Sequence, residues 1–73
     1  MKYVKIIDVF DGETLLKKDS IERLVKGYYT GGKGIVYYNC YTMSSGRDVL
    51  ERFDNYEDRD AVFDSMQREL EDE

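Results

Sequence analysis

The amino-acid sequence predicts a small α+β domain, in which a four-stranded, mostly antiparallel sheet is followed by one C-terminal amphipathic helix packed on it (ββββα). Stretches rich in β-branched and aromatic residues, separated by turns that contain glycine, fill residues 2–53. Residues 54–70 have instead the apolar spacing of a helix. No linker or internal repeat divides the 73 residues, so we expect a single domain spanning residues 1–73.

The first predicted strand is Tyr3–Phe10, whose apolar residues, such as Ile6 and Ile7, point to both of its faces. Such a pattern indicates a central strand that is covered on two sides. The Asp11–Gly12 pair is a strong turn signal because glycine accepts positive φ angles. Glu13–Lys17 then reads as a short second strand.

The middle of the chain predicts a hairpin. Lys18–Val25 is ambiguous, and we expect a short turn or a single helical turn there that leads into a strand at about Arg23–Thr30. The glycine-rich segment Gly31–Gly34 connects this strand to Gly34–Met43, which has apolar or aromatic residues on both faces. A short last strand is predicted at Asp48–Phe53. Although five stretches have strand-like composition, two of them are short, and we expect four strands.

The C-terminal segment predicts a helix. Asp54 or Asn55 is the expected N-cap, and acidic residues follow in the first turn, where the helix dipole favours negative charge. An apolar stripe at helical spacing is expected to dock on the sheet, with Phe63 and Met66 as core residues that anchor the helix. The stripe consists of Val62, Phe63, Met66 and Leu70.

Charge is distributed unevenly along the chain. Residues 54–73 contain nine acids and two arginines, a net charge of −7, whereas the whole chain has a net charge of −5. A near-neutral body with a strongly acidic helix is suited to face basic surfaces and to repel nucleic acid. We therefore expect a basic partner protein, bound by the acids that lie off the apolar stripe. These are Glu57, Asp60, Asp64 and Glu71.

The small size of the chain favours a homo-oligomer. A domain of this length buries only about 60% of its unfolded surface, so an isolated core is marginal. Cys40 is the only cysteine, which excludes an internal disulfide, and without histidine we expect neither a metal site nor a cofactor. A subunit partner is the remaining source of stability. Seven tyrosines and three phenylalanines supply aromatic area for such an interface.

A small-ligand site is the alternative. The Gly31–Gly34 segment superficially resembles a phosphate-binding loop, but it lies between two strands, where a hairpin turn is favoured. In this alternative, Tyr28, Tyr29 and Lys33 close over a small ligand or nucleotide at a subunit interface. We expect no enzymatic activity, because Cys40 has no histidine base and so short a chain leaves little room for a deep pocket.

The remaining features concern partners and location. The lysines all lie in the first half of the chain, with aromatic residues interleaved around Tyr28 and Tyr29, but the net charge of −5 makes nucleic-acid binding unfavourable. No signal peptide or membrane span is predicted, and the single cysteine suits a reducing, cytoplasmic setting. The composition is of the sort seen in small bacteriophage or mobile-element proteins. The sequence thus predicts a small, acidic, non-catalytic interaction protein of the inhibitor or nucleic-acid-mimic type.

Overall fold

A computed structural model describes residues 3–9 and 12–71, which form a five-stranded antiparallel sheet followed by one helix. The elements are β1 (Tyr3–Asp8), β2 (Gly12–Lys17), β3 (Ile21–Gly31), β4 (Gly34–Met43), β5 (Asp48–Phe53) and α1 (Tyr56–Glu71). The strand order is β2-β1-β5-β4-β3. The α+β class, the antiparallel sheet and the C-terminal helix are confirmed. The predicted number of four strands is wrong, because all five strand-like stretches, the short ones included, are paired.

Tight connections follow the local sequence. Gly12, with φ of 79°, begins β2, while Phe10 and Asp11 of the predicted first strand and turn lie outside the described residues. A single 3₁₀ turn at Lys18–Ser20 replaces the ambiguous helical segment, so that β3 begins at Ile21, two residues earlier than predicted. The predicted glycine hairpin between β3 and β4 is present, and Gly34 has φ of 124° there.

The sheet has two parts that are joined by a short seam. The β3, β4 and β5 strands form long ladders, whereas β1 pairs with β5 only at Asp8 and Glu51. The backbone N–H of Val9 adds a hydrogen bond to the Leu50 carbonyl, at 3.0 Å. The β1–β2 hairpin is attached to the rest of the sheet mainly through the hydrophobic core. It contributes Val4, Ile6 and Leu16, which pack with Tyr41 and Val49.

The helix packs on one side of the β3–β4–β5 part. All four residues of its predicted apolar stripe are half-buried, and Met66 packs against the core. No side chain within α1, all of which is described, is fully buried. The helix therefore covers the sheet only partly. Phe63 was predicted to be a core residue, but its side chain is only half-buried.

The two faces of the β3–β4–β5 part differ in their cover. Asn39 and Tyr41 of β4 point to the side that carries α1 and are fully buried. Side chains alternate along a strand, so the residues between them point to the opposite side, which no described element covers. We call this side the open face. It consists of Arg23, Val25, Tyr29, Val36, Tyr38, Cys40, Thr42, Asp48, Leu50 and Arg52.

Candidate functional site

The start of α1 is determined by a side-chain cap. The Oδ1 atom of Asn55 accepts a hydrogen bond from the backbone N–H of Asp58, at 2.8 Å, and the Nδ2 atom donates to the Asp58 carboxylate, at 3.2 Å. This contact satisfies one of the N–H groups that have no partner in the first turn of a helix. Of the two predicted N-caps, the structure selects Asn55. Glu57 and Asp58 therefore lie in the first turn, near the positive end of the helix dipole.

Two acids of α1 are paired with the body of the protein. The Asp60 carboxylate lies 3.4 Å from the Lys26 ammonium and 2.9 Å from the Arg59 guanidinium. The hydrogen bond from Arg59 is the main cause that lowers the pKa of Asp60, and Lys26 adds to it. Glu69 pairs with Lys18 at 3.3 Å. Lysines of the body therefore neutralise only the acids that lean toward the sheet.

The predicted partner-binding acids consequently do not all face solvent. Glu57, Asp64 and Glu71 are exposed, and Glu71 accepts a hydrogen bond from Gln67 of its own helix, at 3.4 Å. Asp60 was predicted to point outward, but it is only 36% exposed and is paired within the chain. On the exposed side of α1, as far as the structure describes the helix, Arg68 is the single cation.

Arg59 joins the helix to the sheet, a role that the sequence interpretation missed. Its guanidinium donates to the Gly27 carbonyl at 2.9 Å and lies 5.1 Å from the ring centre of Tyr37. Its own carbonyl accepts a hydrogen bond from Asn39 at 3.2 Å. Arg59 precedes Phe63 by four residues, so its place on the sheet-facing side could have been found from helical spacing.

The tyrosines fall into two groups on opposite sides of the sheet. Tyr28 packs with Tyr37, at 6.5 Å between ring centres, and Tyr37 packs with Tyr56 beside the start of α1. Tyr29 packs instead with Tyr38 on the open face, at 6.3 Å. The alternative ligand set of Tyr28, Tyr29 and Lys33 is therefore divided, because consecutive residues of a strand point to opposite faces.

The open face contains a shallow apolar groove of about 390 Å³, bordered by two arginines. It is lined by Val9, Arg23, Val25, Tyr29, Tyr38, Cys40, Leu50 and Arg52. A second groove, of about 510 Å³, adjoins it at Tyr29 and Arg52 and runs along the glycine hairpin to Lys33. The structure thus brings Tyr29 and Lys33 to connected grooves, and it leaves Tyr28 on the other side.

Cys40 lies in the middle of the open face. It is half-buried. Burial is the main cause that raises the pKa of its thiol, and the charge of Asp48 adds to the effect. The thiol is therefore protonated at neutral pH and is a weak nucleophile.

On the covered side, a buried tyrosine is hydrogen-bonded to a carboxylate. The hydroxyl of the fully buried Tyr41 donates to the Glu51 carboxylate, at 3.3 Å. Burial is the main cause that raises the pKa of Glu51, and burial likewise raises the pKa of Tyr41. This pair lies on the covered side next to the β1–β5 seam, so we assign it a structural role and not a binding role.

Among the described residues, no three acidic or cysteine side chains come together where a metal ion could be held. None of the described helical segments has the length and apolar character needed to cross a membrane. No protein-family model, curated protein or solved structure matches the chain. What the protein binds has to be inferred from its surfaces.

Proposed function

We propose that the protein is a small non-catalytic interaction protein, which engages a basic surface of a partner protein through the outward side of α1. The observation that carries the proposal is the division of the helix acids. Lys26 and Lys18 reach only Asp60 and Glu69, so the outward acids keep their charge for a partner. Long-range attraction from such a charged surface raises the rate of association with a basic partner.

The outward acids form a row along α1. Glu57, Asp64 and Glu71 are spaced by seven residues, about two helical turns, so they lie roughly in line over about 21 Å. Their separation of about 10 Å along the helix axis is wider than the rise of about 3.4 Å per phosphate along the duplex axis for one DNA strand. This geometry favours a basic protein surface with separated cationic side chains over close imitation of a duplex.

The test combines Glu57→Gln, Asp64→Asn and Glu71→Gln in one variant and measures binding to poly-L-lysine at low and physiological salt. We expect the wild type to bind more weakly as salt rises, and the variant to associate more slowly at low salt. The melting temperature should be nearly unchanged. Wild-type binding that is indifferent to both salt and the three substitutions would exclude the acidic side of α1 as the binding surface.

Asp60→Asn and Asp64→Asn form a matched control pair, because each removes one negative charge from the same helix. Asp60 is already neutralised by Lys26 and Arg59, so its loss should lower stability and leave poly-L-lysine binding nearly unchanged. Asp64 is exposed, so its loss should leave stability nearly unchanged and weaken binding to poly-L-lysine. The same response of both variants would show that the division into inward and outward acids has no functional meaning.

A second candidate function is binding of a small anionic ligand or nucleotide, favoured by the connected grooves beside Tyr29, Arg52 and Lys33. A tyrosine ring provides a surface for stacking, and the cations provide charge for a phosphate. Mass spectrometry of the denatured, purified protein should then detect a bound compound. Tyr29→Ala should abolish its retention, while Tyr28→Ala, on the other face, should not. Equal retention by both variants would contradict this candidate.

A further inference from the structure

The open face has more apolar surface than folding explains. Val25, Cys40 and Leu50 lie side by side in the strand register and form an apolar row across its centre. Tyr29 is 47% exposed, and Val9 at the border is 39% exposed. An apolar row that no element of the same chain covers is typical of a surface that is completed by association.

We propose that the open face is a homodimer interface, in which a second copy of this chain packs its own open face against the first. The three strands, spaced about 4.8 Å apart and rising about 3.3 Å per residue, span about 14 by 30 Å, or about 400 Å² in projection. Stable interfaces bury about 800 Å² of accessible surface per partner. The accessible area of the face is larger than its projected area because side chains protrude from it. Burying about 800 Å² therefore requires a flat partner that covers the whole face. The open face of a second copy has that shape and size.

The charges at the border favour a self-complementary contact. Within the described part of the chain, Arg23 and Arg52 form no ion pair, and Asp48 accepts a hydrogen bond from Thr42 at 2.9 Å. A two-fold interface uses the same patch on both subunits, so a patch with both signs of charge can pair with itself. The open face has two arginines and one aspartate at its border, so it has both signs of charge.

The strand register specifies which charges would meet. Arg23 and Asp48 lie at the same level on either side of Thr42, so a two-fold axis along β4 places Arg23 opposite the partner's Asp48. Asp48 and Arg52 lie two residues on either side of Leu50, so an axis across the strands places Arg52 opposite the partner's Asp48. In both arrangements Cys40 is at the axis, opposite the partner's Cys40.

This dimer goes beyond the proposed function, because it uses the face opposite α1. Two sheets would pack about 10 Å apart with their apolar rows between them. The two helices would lie on the outer sides and present two separate acidic rows. Dimerisation and binding to poly-L-lysine use different residues, so the failure of one proposal leaves the other open to its own test.

Light scattering on the full chain is the first test. We expect a dimer at micromolar concentration, and Leu50→Glu should raise its dissociation constant by at least about 30-fold, since it places a charge in the centre of the interface. Ile35→Glu, on β4, is the matched control, because Ile35 is 51% exposed and strand alternation places it on the side opposite to Leu50. A wild type that remains at 8.6 kDa at high concentration would overturn the proposal, as would a dimer that is weakened equally by both variants.

Charge exchange provides a test that leaves the apolar centre intact. Asp48→Arg alone should weaken the dimer, because it sets arginine against arginine. Mixing it with Arg23→Asp should restore a mixed dimer for the axis along β4, and mixing it with Arg52→Asp should do so for the axis across the strands. Restoration by either mixture supports face-to-face pairing, and restoration by neither overturns it.

Cross-linking of the unmodified chain tests the axis directly. A short bifunctional maleimide should join the two Cys40 thiols of a wild-type dimer, and the yield should fall in Leu50→Glu but not in Ile35→Glu. A monomer whose groove retains a small compound, with no cross-linked dimer, would overturn the proposal in favour of a ligand site. A dimer in which Cys40 reacts freely but never cross-links would place the interface elsewhere.

Discussion

The two faces of the β3–β4–β5 part are built from alternating residues of the same strands, yet they differ in how their side chains are used. On the side covered by α1, several polar groups have specific partners, while the buried Oδ1 atom of Asn39 has none among the described residues. Asn39 donates to the Arg59 carbonyl, Tyr41 donates to Glu51, and Lys26 pairs with Asp60. On the open face Thr42 donates a hydrogen bond to Asp48 at the border, and the centre is apolar.

The difference separates the residues that stabilise the fold from those that are available for binding. Buried polar groups are costly unless they are paired, so the contacts of the covered side are needed for a stable domain. An apolar groove left in water has no such role within one chain. We therefore expect substitutions on the covered side to change stability, and those on the open face to change association.

The largest expected effect compares two neighbouring isoleucines of β1. Ile6 is fully buried in the core, whereas Ile7 is 56% exposed. Ile6→Ala should lower the free energy of unfolding by about 3 kcal/mol, because it removes buried methyl groups and leaves a cavity. Ile7→Ala should change it by less than about 0.5 kcal/mol. Urea denaturation of both variants at the same protein concentration measures the difference.

Equal losses from the two isoleucine variants would show that both faces of β1 are buried. That result would support the sequence-based prediction for this strand, in which apolar residues on both faces indicated that both faces are covered. A loss from Ile7→Ala that depends on protein concentration would instead place β1 in a subunit interface.

Local patterns predicted much of the fold, but not which face of the sheet is covered. The alternation along β4 correctly groups Tyr38 with Cys40 and Asn39 with Tyr41, and helical spacing correctly selects the stripe that contains Met66. Both faces of β4 look apolar in sequence, so the side taken by α1 could not be read from it. The covered side is determined by long-range contacts, such as that between Arg59 and the Gly27 carbonyl, 32 residues apart in sequence.

The candidate site was predictable to a similar extent. The excess of acids after residue 53 identified the acidic side of α1, but the pairing of Asp60 depends on Lys26, which is 34 residues away in sequence. Likewise Tyr28 and Tyr29 are adjacent in sequence but lie on opposite faces. Local composition indicates which residue types can bind, while strand pairing decides which of them share a surface.

A smaller effect is expected from the anchor of α1. The Phe63 ring is half-buried, and the Lys26 ammonium lies 5.0 Å from its centre. Phe63→Ala should cost about 2 kcal/mol, less than a fully buried phenylalanine, through lost packing and a cation–π contact. Tyr56→Ala, which removes a 52%-exposed ring from the same helix, should cost less. Thermal unfolding compares them, and the reverse order would move the main helix–sheet contact to the start of α1.

The smallest expected effect concerns the Glu51 carboxylate on the covered side. Because burial raises its pKa above the ordinary value of 4.5, the native state binds more protons than the unfolded state between these two pKa values. Stability should therefore fall as pH rises through this window and stay constant above it. Glu51→Gln keeps an oxygen that accepts from Tyr41 and cannot ionise, so it should lack this decline.

The Glu51→Gln variant should therefore match the wild type near pH 4 and exceed it at pH 7. The gain should be below about 1 kcal/mol, since a half-buried carboxylate keeps part of its hydration. Urea denaturation from pH 4 to 8, with both proteins at one concentration, measures the difference, from which the contributions of all other carboxylates cancel. A stability difference that shrinks as pH rises would mean that Glu51 is stabilised as an anion, and the covered side would then hold a charge that the fold itself favours.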